Sequence, residues 1–235
     1  MNFDNFKVLT FDCYGTLVDW ETGILAALRP LFARRRIGIP DEDILAGYAI
    51  MERNMESAPF FMPYRQVLQK VMKQFGKAMH FSPTEAETNA LVDSFAEWKP
   101  FPDTVAALQA LKTRYKLVII SNVDDDLFAI TAQYLQVPFD EVITAQQVGS
   151  YKPSHRNFET AFSRIGLPRE QILHVAQSLH HDIAPARELG LANVWVTRRK
   201  GKTASGATDA DAIQPDLEVP DLQSLATAMG LMSHS

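Results

Sequence analysis

Cysteine is almost absent: Cys13 stands alone in 235 residues, which excludes a disulfide framework within the chain and fits a reducing compartment. Long hydrophobic runs are missing as well. Nowhere do about 18 apolar residues follow one another, and the opening MNFDNFKVLT has no basic leader ahead of an apolar stretch, so neither a membrane span nor a secretory signal is expected. The expected location is cytoplasmic. Basic charge is the minority sign, with 23 Lys and Arg against 28 Asp and Glu and a net charge of -5, which argues against a nucleic-acid partner. The densest basic stretches, Arg34 to Arg36 and RRKGK at 198–202, are short and read as solvated surface. No internal repeat or low-complexity segment occurs. What is present, 46% hydrophobic and 22% charged residues, describes a globular chain able to bury one sizeable core or a core with an accessory domain.

Five apolar, β-branched-rich runs recur with helical patterns between them: FKVLTF ahead of Asp12, KLVIIS ahead of Asn122, EVITA, ILHVA and NVWVT. Such alternation is the signature of βαβ units and a buried parallel sheet. PDTVAALQALKTRY carries a stripe through Val105, Leu108 and Leu111 at helical spacing, and HRNFETAFSRIG and DIAPARELG each end in a glycine placed as a helix C-cap. Residues 200–216, rich in small and turn-forming side chains, read as one long loop.

Between the first two strands the chain is roughly 85 residues longer than one crossover helix needs. Residues 21–98 read as helical, with Gly38, Pro40, Pro59, Pro63 and Pro83 as breakers. The expected architecture is α/β: a Rossmann-like parallel sheet core, residues 1–19 and 99–235, with an inserted helical cap domain, residues 20–98. Hinges are expected near Asp19 to Thr22 and Lys99 to Pro102.

Open parallel sheets bind ligands beyond the carboxyl ends of their strands. The polar residues there are Asp12 after the first strand, Ser121 and Asn122 after the second, Lys152 past the third and Asp182 after the fourth. Together they bring an acid, a hydroxyl with an amide, a base and a second acid to one edge.

These residues lie in DCYGT, SN at 121–122, YKP at 151–153 and AQSLHHD at 176–182, and in this the chain resembles the haloacid dehalogenase (HAD) superfamily. The strings FDCYGTLVDW and ITAQQVGSYKP are most similar to its type II 2-haloacid dehalogenase branch; FDCYGTLVDWETGI, VGSYKP and a late GAT also look like azetidine-2-carboxylate hydrolase. The resemblance implies that Asp12 is a nucleophile forming an aspartyl ester, that Ser121 and Asn122 hold substrate, that Lys152 pairs with Asp12, and that Asp182 orients water or Lys152. It also implies a cap arginine near the leaving group, for which Arg53 is the nearest candidate and Arg34, Arg35, Arg36 and Arg65 compete.

The chemistry of the residues agrees with such roles. A carboxylate with a pKa near 3.9 is ionised at pH 7 and needs no base to attack, and a neighbouring Lys152 is expected to depress that pKa further. Where the superfamily's phosphatases commonly carry a second aspartate to protonate a departing alkoxide, this chain has Tyr14, a phenol with a pKa of about 10. Tyr14 therefore suits leaving groups that need no general acid, a halide or an already protonated ring amine. Gln177 stands where those phosphatases complete a magnesium site, so no metal or other cofactor is expected to be required, and magnesium binds weakly if at all.

Blander readings stand beside these. Ser121 and Asn122 suit a turn, Asp182 suits the N-cap of the helix that follows it, and Tyr14 and Trp20 serve as either core aromatics or substrate-binding pocket walls. Cys13 reads as a buried thiol, and the His180–His181 pair as a poor metal motif. Phe60, Phe61 and Met62 are candidates for a homodimer contact, a lid or core. The expected partner is a small 2-substituted carboxylic acid; the alternative is a phosphohydrolase acting on an acyl phosphate or anhydride, which magnesium dependence would reveal.

Overall fold

The computed structural model describes residues 1–198 and 213–233, so most of the loop expected at 200–216, with the GAT string, lies outside the described residues. Six strands, β1 (Val8–Phe11), β2 (Lys116–Ser121), β3 (Glu141–Thr144), β4 (Ile172–Ala176), β5 (Ala192–Val196) and β6 (Leu217–Val219), form one sheet in the order β3-β2-β1-β4-β5-β6. Every neighbouring pair is parallel. The sixth strand corrects the expectation of five: three residues are too few for an alternating pattern to show in the sequence.

Side chains alternate across this sheet as the pleat requires. Leu9, Phe11, Leu117, Ile119, Leu173, Val175, Val194 and Val196 face one core, while Val8, Val118, Ile120, Ile143 and Ile172 face a second. Burial on both faces is why the strands read as unbroken apolar runs, each large side chain contributing about 1.5–3 kcal/mol of transfer free energy.

The insertion between β1 and the helix that leads into β2 holds four α-helices. α1 (Trp20–Arg34) starts at Asp19, whose carboxylate accepts the Thr22 N–H at 3.2 Å. α2 (Asp41–Glu56) follows Pro40 and opens with Asp41, Glu42 and Asp43 against the positive end of its dipole. α3 (Tyr64–Ala78) follows Pro63, and α4 (Glu85–Asp93) opens with a capping box between Thr84 and Glu87. The remaining helices are α5 (Thr104–Lys112), α6 (Asp125–Leu135), α7 (Ala145–Val148), α8 (His155–Ile165), α9 (Ala184–Glu188) and α10 (Leu222–Ala228). No described helix is long and apolar enough to cross a membrane.

The two crossings between sheet and inserted helices run side by side, tied by Asp19 N–H to the Lys99 carbonyl at 2.9 Å and Phe101 N–H to the Leu17 carbonyl at 3.0 Å. A third tie comes from the loop after β2, where Asp124, 3% exposed, accepts the Tyr64 and Arg65 N–H groups at 2.8 and 2.9 Å. A core carboxylate thus satisfies the first free donors of α3. Phe60 is 84% exposed, whereas the Phe61 ring lies 5.1 Å from that of Tyr151, whose hydroxyl donates to the Met62 carbonyl at 2.6 Å.

Asp182 does not cap the helix after β4, contrary to one reading of its sequence. Ser178 does, accepting the His181 N–H at 3.0 Å ahead of a π-helical turn, Leu179–Ile183, that leads into α9. A wide turn places Asp182 inside the element, with its carboxylate free for other partners.

Gly23 on α1 packs against Trp98, which is 1% exposed, stacked on Phe95 at 4.1 Å and held by Ser94 at 2.9 Å. A methyl group at residue 23 would collide with that ring. We predict that Gly23→Ala lowers stability by about 1–3 kcal/mol despite its better helix propensity. Urea denaturation checks this, and an unchanged or raised midpoint would show that Trp98 gives way.

Candidate active site

Asp12 sits one residue past β1 and is 8% exposed. The chain then turns through Gly15 at φ +95°, a conformation side chains resist, and this returns Thr16 to Asp12. Thr16 donates to Asp12 Oδ2 at 2.7 Å and accepts the Gln177 N–H at 2.9 Å, joining the turn after β1 to the loop after β4. Sequence reasoning missed Thr16, although its place four residues after Asp12 in DCYGT was available as a signal.

Lys152, 2% exposed, fills the gap between strand ends. Its Nζ donates to Asp12 Oδ1 at 2.9 Å, Asp182 Oδ1 at 2.6 Å and the Ile120 carbonyl at 2.8 Å. An ammonium has three hydrogens, and here each has an acceptor. Burial disfavours its charge, but the two carboxylates outweigh that and move its pKa upward. For Asp182 burial is likewise outweighed, chiefly by the Lys152 charge and then by a hydrogen bond from His174, and its pKa falls to about 2.

Asp12 moves the other way. Burial raises its pKa more than Lys152 lowers it, and Asp182 adds repulsion. Lys152 does pull this pKa down as expected, but the cation is shared with a second acid, and desolvation decides the net direction, which is up.

His174 was also missed. It lies fully buried in β4 and is register partner to Thr10 in β1. Its Nε2 stands 3.1 Å from Asp182 Oδ1 and its Nδ1 2.9 Å from Thr10 Oγ1. Because an ionised carboxylate only accepts, Nε2 carries the hydrogen in this contact. A histidine inside an otherwise apolar strand was the visible signal.

Asn122 clasps the Lys152 backbone, accepting its N–H at 2.7 Å and donating to its carbonyl at 3.1 Å. Ser121 is 2% exposed, and among the described residues its Oγ has no partner. Asp182 Oδ2 and Arg53 Nε are likewise buried without partners among the described residues. Tyr14 is committed elsewhere, its hydroxyl 2.8 Å from Thr131 and its ring edge-on to Phe95 and Trp98. The Trp20 ring tilts over Tyr48 at 5.6 Å. Cys13 is fully buried, and burial followed by the Asp12 charge pushes its thiol well up, which leaves it unreactive. His180 and His181 lie ring to ring at 4.9 Å; burial lowers both, His181 to about 4, so His181 is neutral at neutral pH.

The inserted helices supply further side chains that the sequence did not single out. Glu56, the last residue of α2, accepts from Asn122 Nδ2 at 3.3 Å, and Glu52 one turn earlier accepts from the Tyr48 and Tyr64 hydroxyls. Both oxygens of Asp12 and one of Asp182 are occupied by protein donors, and among the described residues no three His, Cys, Asp or Glu gather as ligands.

Residues 6–190 match the family model of haloacid dehalogenase-like hydrolases. The chain is 25% identical over 233 residues to (S)-2-haloacid dehalogenase 1 of Pseudomonas sp. (strain CBS-3), covering 93% of this chain and 97% of that one. Over a shorter stretch, 108 residues or 43% of this chain and 46% of the relative, it is 34% identical to glyceraldehyde 3-phosphate phosphatase of Methanothermobacter thermautotrophicus. In fold it superposes on L-2-haloacid dehalogenase from Xanthobacter autotrophicus with chloropropionic acid covalently bound, at a TM-score of 0.80 and 20% identity, covering 97% of this chain and all, 100%, of that one.

Removing the shared cation leaves two buried carboxylates facing each other. Lys152→Met is expected to cost about 3–5 kcal/mol of stability at pH 7. In that variant the folded-state pKa values of both acids lie above their unfolded values, so the folded state binds protons more tightly and the deficit shrinks as pH falls from 7 to 5. Denaturation at the two pH values tests this; a parent-like midpoint, or a deficit that grows on acidification, would refute it.

Proposed function

This chain belongs to the haloacid dehalogenase-like hydrolases, and we propose that it hydrolyses a small 2-substituted carboxylic acid through an ester formed on Asp12. The observation that carries the reading is the clamp on Asp12, with Lys152 on one oxygen and Thr16 on the other. The full-length likeness to a named (S)-2-haloacid dehalogenase supports the substrate class.

In this reading one Asp12 oxygen attacks the carbon bearing the leaving group, the carbon–leaving group bond breaks, and its electron pair departs with that group. Tyr14 offers no proton because its hydroxyl is turned to Thr131, and the leaving group needs none. Whichever oxygen becomes the ester oxygen, the other keeps a donor, and that donor stabilises the oxyanion when water adds to the Asp12 carboxyl carbon. Asp182, with a pKa of about 2, is too weak a base to strip water early; its unpartnered Oδ2 accepts from the water and orients it while Oδ1 holds Lys152. His174 fixes which oxygen does which.

Ser121 and Arg53, each with a buried polar atom lacking a partner, are the groups we assign to substrate binding, with Asn122 positioning Lys152 and Trp20 walling the pocket. Helices α1 to α4, residues 20–98, act as a cap over the strand ends, the remaining chain as the core. No metal takes part, and the fully buried thiol of Cys13 suits a reducing cytoplasm. The partial likeness to a phosphatase keeps one other reading in view, a phosphohydrolase of acyl phosphates, which would need magnesium.

Two outcomes are expected. Single turnover of an accepted 2-haloacid or azetidine-2-carboxylate in ¹⁸O water with EDTA places the label in Asp12 rather than in product, and Asp12→Asn abolishes release. Phosphate released from acyl phosphate only with magnesium would select the other reading. Because Asp12 must be ionised to attack and its pKa is raised, kcat/KM rises with pH through an acid limb above the ordinary carboxylate value of about 4; a limb at or below that value would contradict the role of burial.

A further inference from the structure

Glu52 and Glu56 occupy positions that cost stability. They are four residues apart on one helix face, where like charges repel, and Glu56 ends α2, where the dipole disfavours anions. Both side chains are also half-buried. Glu52 is compensated by two tyrosine hydroxyls, which also contact each other at 2.8 Å. Among the described residues Glu56 has one hydrogen bond, at 3.3 Å from Asn122, the residue that clasps Lys152, so it reaches the strand-end site with acceptor capacity to spare.

Arg53 lies three residues before Glu56, on the same face. A cation and an anion at that spacing ordinarily pair. Here, among the described residues, Arg53 makes no ion pair, and its buried Nε has no partner, yet its charge reaches Glu52, Glu56, His180 and His181. At the strand ends, among the described residues, two other unpartnered atoms belong to residues at most 2% exposed, Ser121 Oγ and Asp182 Oδ2. The strand ends already hold two acids against one lysine, so a second pair of acids makes the pocket a poor host for a ligand that is only an anion.

We propose that Arg53 and Glu56 form a split pair that recognises a zwitterion, so that the substrate bears a protonated nitrogen in addition to its carboxylate and Glu56 determines that specificity. The inference rests on the hydrolase reading above and narrows its substrate class to amino-bearing or cyclic-amine acids. Arg53 takes the carboxylate, to which a guanidinium is geometrically matched. Glu56 accepts from the nitrogen. Burial and then the neighbouring Glu52 hold the Glu56 carboxyl well above the ordinary range despite the charges of Lys152 and Arg53, so a ligand ammonium supplies what its charged form lacks.

Binding of unreactive probes separates this from catalysis. Butyrate and 4-aminobutyrate carry the same carboxylate and no leaving group, and calorimetry reads their affinities for the full chain. The parent is expected to bind 4-aminobutyrate at least tenfold more tightly than butyrate. Glu56→Gln removes that advantage without weakening butyrate, whereas Arg53→Gln weakens both ligands alike. Since Glu56→Gln relieves repulsion at a helix end, its melting temperature is expected to match or exceed that of the parent, so loss of discrimination does not reflect unfolding. Equal affinities in the parent, or an advantage that survives Glu56→Gln, would overturn the proposal. Failure of the Asp12 ester registers separately, in the ¹⁸O label, because neither probe reacts.

Discussion

The ammonium group of Lys152 is the contact on which the rest of the site depends. Its three hydrogens reach Asp12 after β1, Asp182 after β4 and the Ile120 carbonyl in β2, so one buried cation gathers three adjacent strands at their carboxyl ends. Burying a charge is costly unless it is paired and fully hydrogen-bonded, and each donor here is used. Repulsion between two neighbouring carboxylates is relieved by the same group. The arrangement leaves the two acids unlike each other: Asp182, with His174 behind it, stays ionised far into acid, while Asp12 is raised by its own burial. Two carboxylates with different affinities for protons can divide the work of attack and of holding water.

Support for that contact comes from beneath and from above. Below, Thr10 and His174 sit opposite each other on neighbouring strands and carry a hydrogen-bonded line from the middle of the sheet to Asp182. Above, the inserted helices are pinned to the core by Asp124 under α3, by Asn122 on Glu56 and by Tyr151 on Met62. Asn122 belongs to both sets, since the amide that fixes the Lys152 backbone also touches the helix that supplies Glu56 and Arg53. Asn122 therefore links Glu56 directly to the Lys152 backbone.

Much of this was legible before any coordinates. The strands show because both faces of a parallel sheet are buried, and the helices show because Pro40, Pro63 and Gly166 mark their ends. Asp12, Lys152 and Asp182 were picked out because strand ends concentrate chemistry, and they do meet. Thr16, His174 and Glu56 escaped, for separable reasons. Thr16 acts only because Gly15 folds the chain back, His174 looked like one more strand residue, and Glu56 is an ordinary acid until α2 sets it beside Asn122. What Tyr14 contacts is a tertiary matter: its hydroxyl lies 2.8 Å from Thr131, 117 residues away.

The sequence by itself determined the layered architecture, the place of the long insertion and the kind of chemistry at the strand ends, because hydrophobic period, breakers and motif residues are local properties of the chain. Only the tertiary structure decided how the charges behave. Whether Asp12 rises or falls, which oxygen of Asp182 stays open, and whether Arg53 pairs with its helix neighbour all depend on burial and on partners tens of residues away. Electrostatic free energy depends on distance and on exclusion of water, and neither quantity is written along the chain.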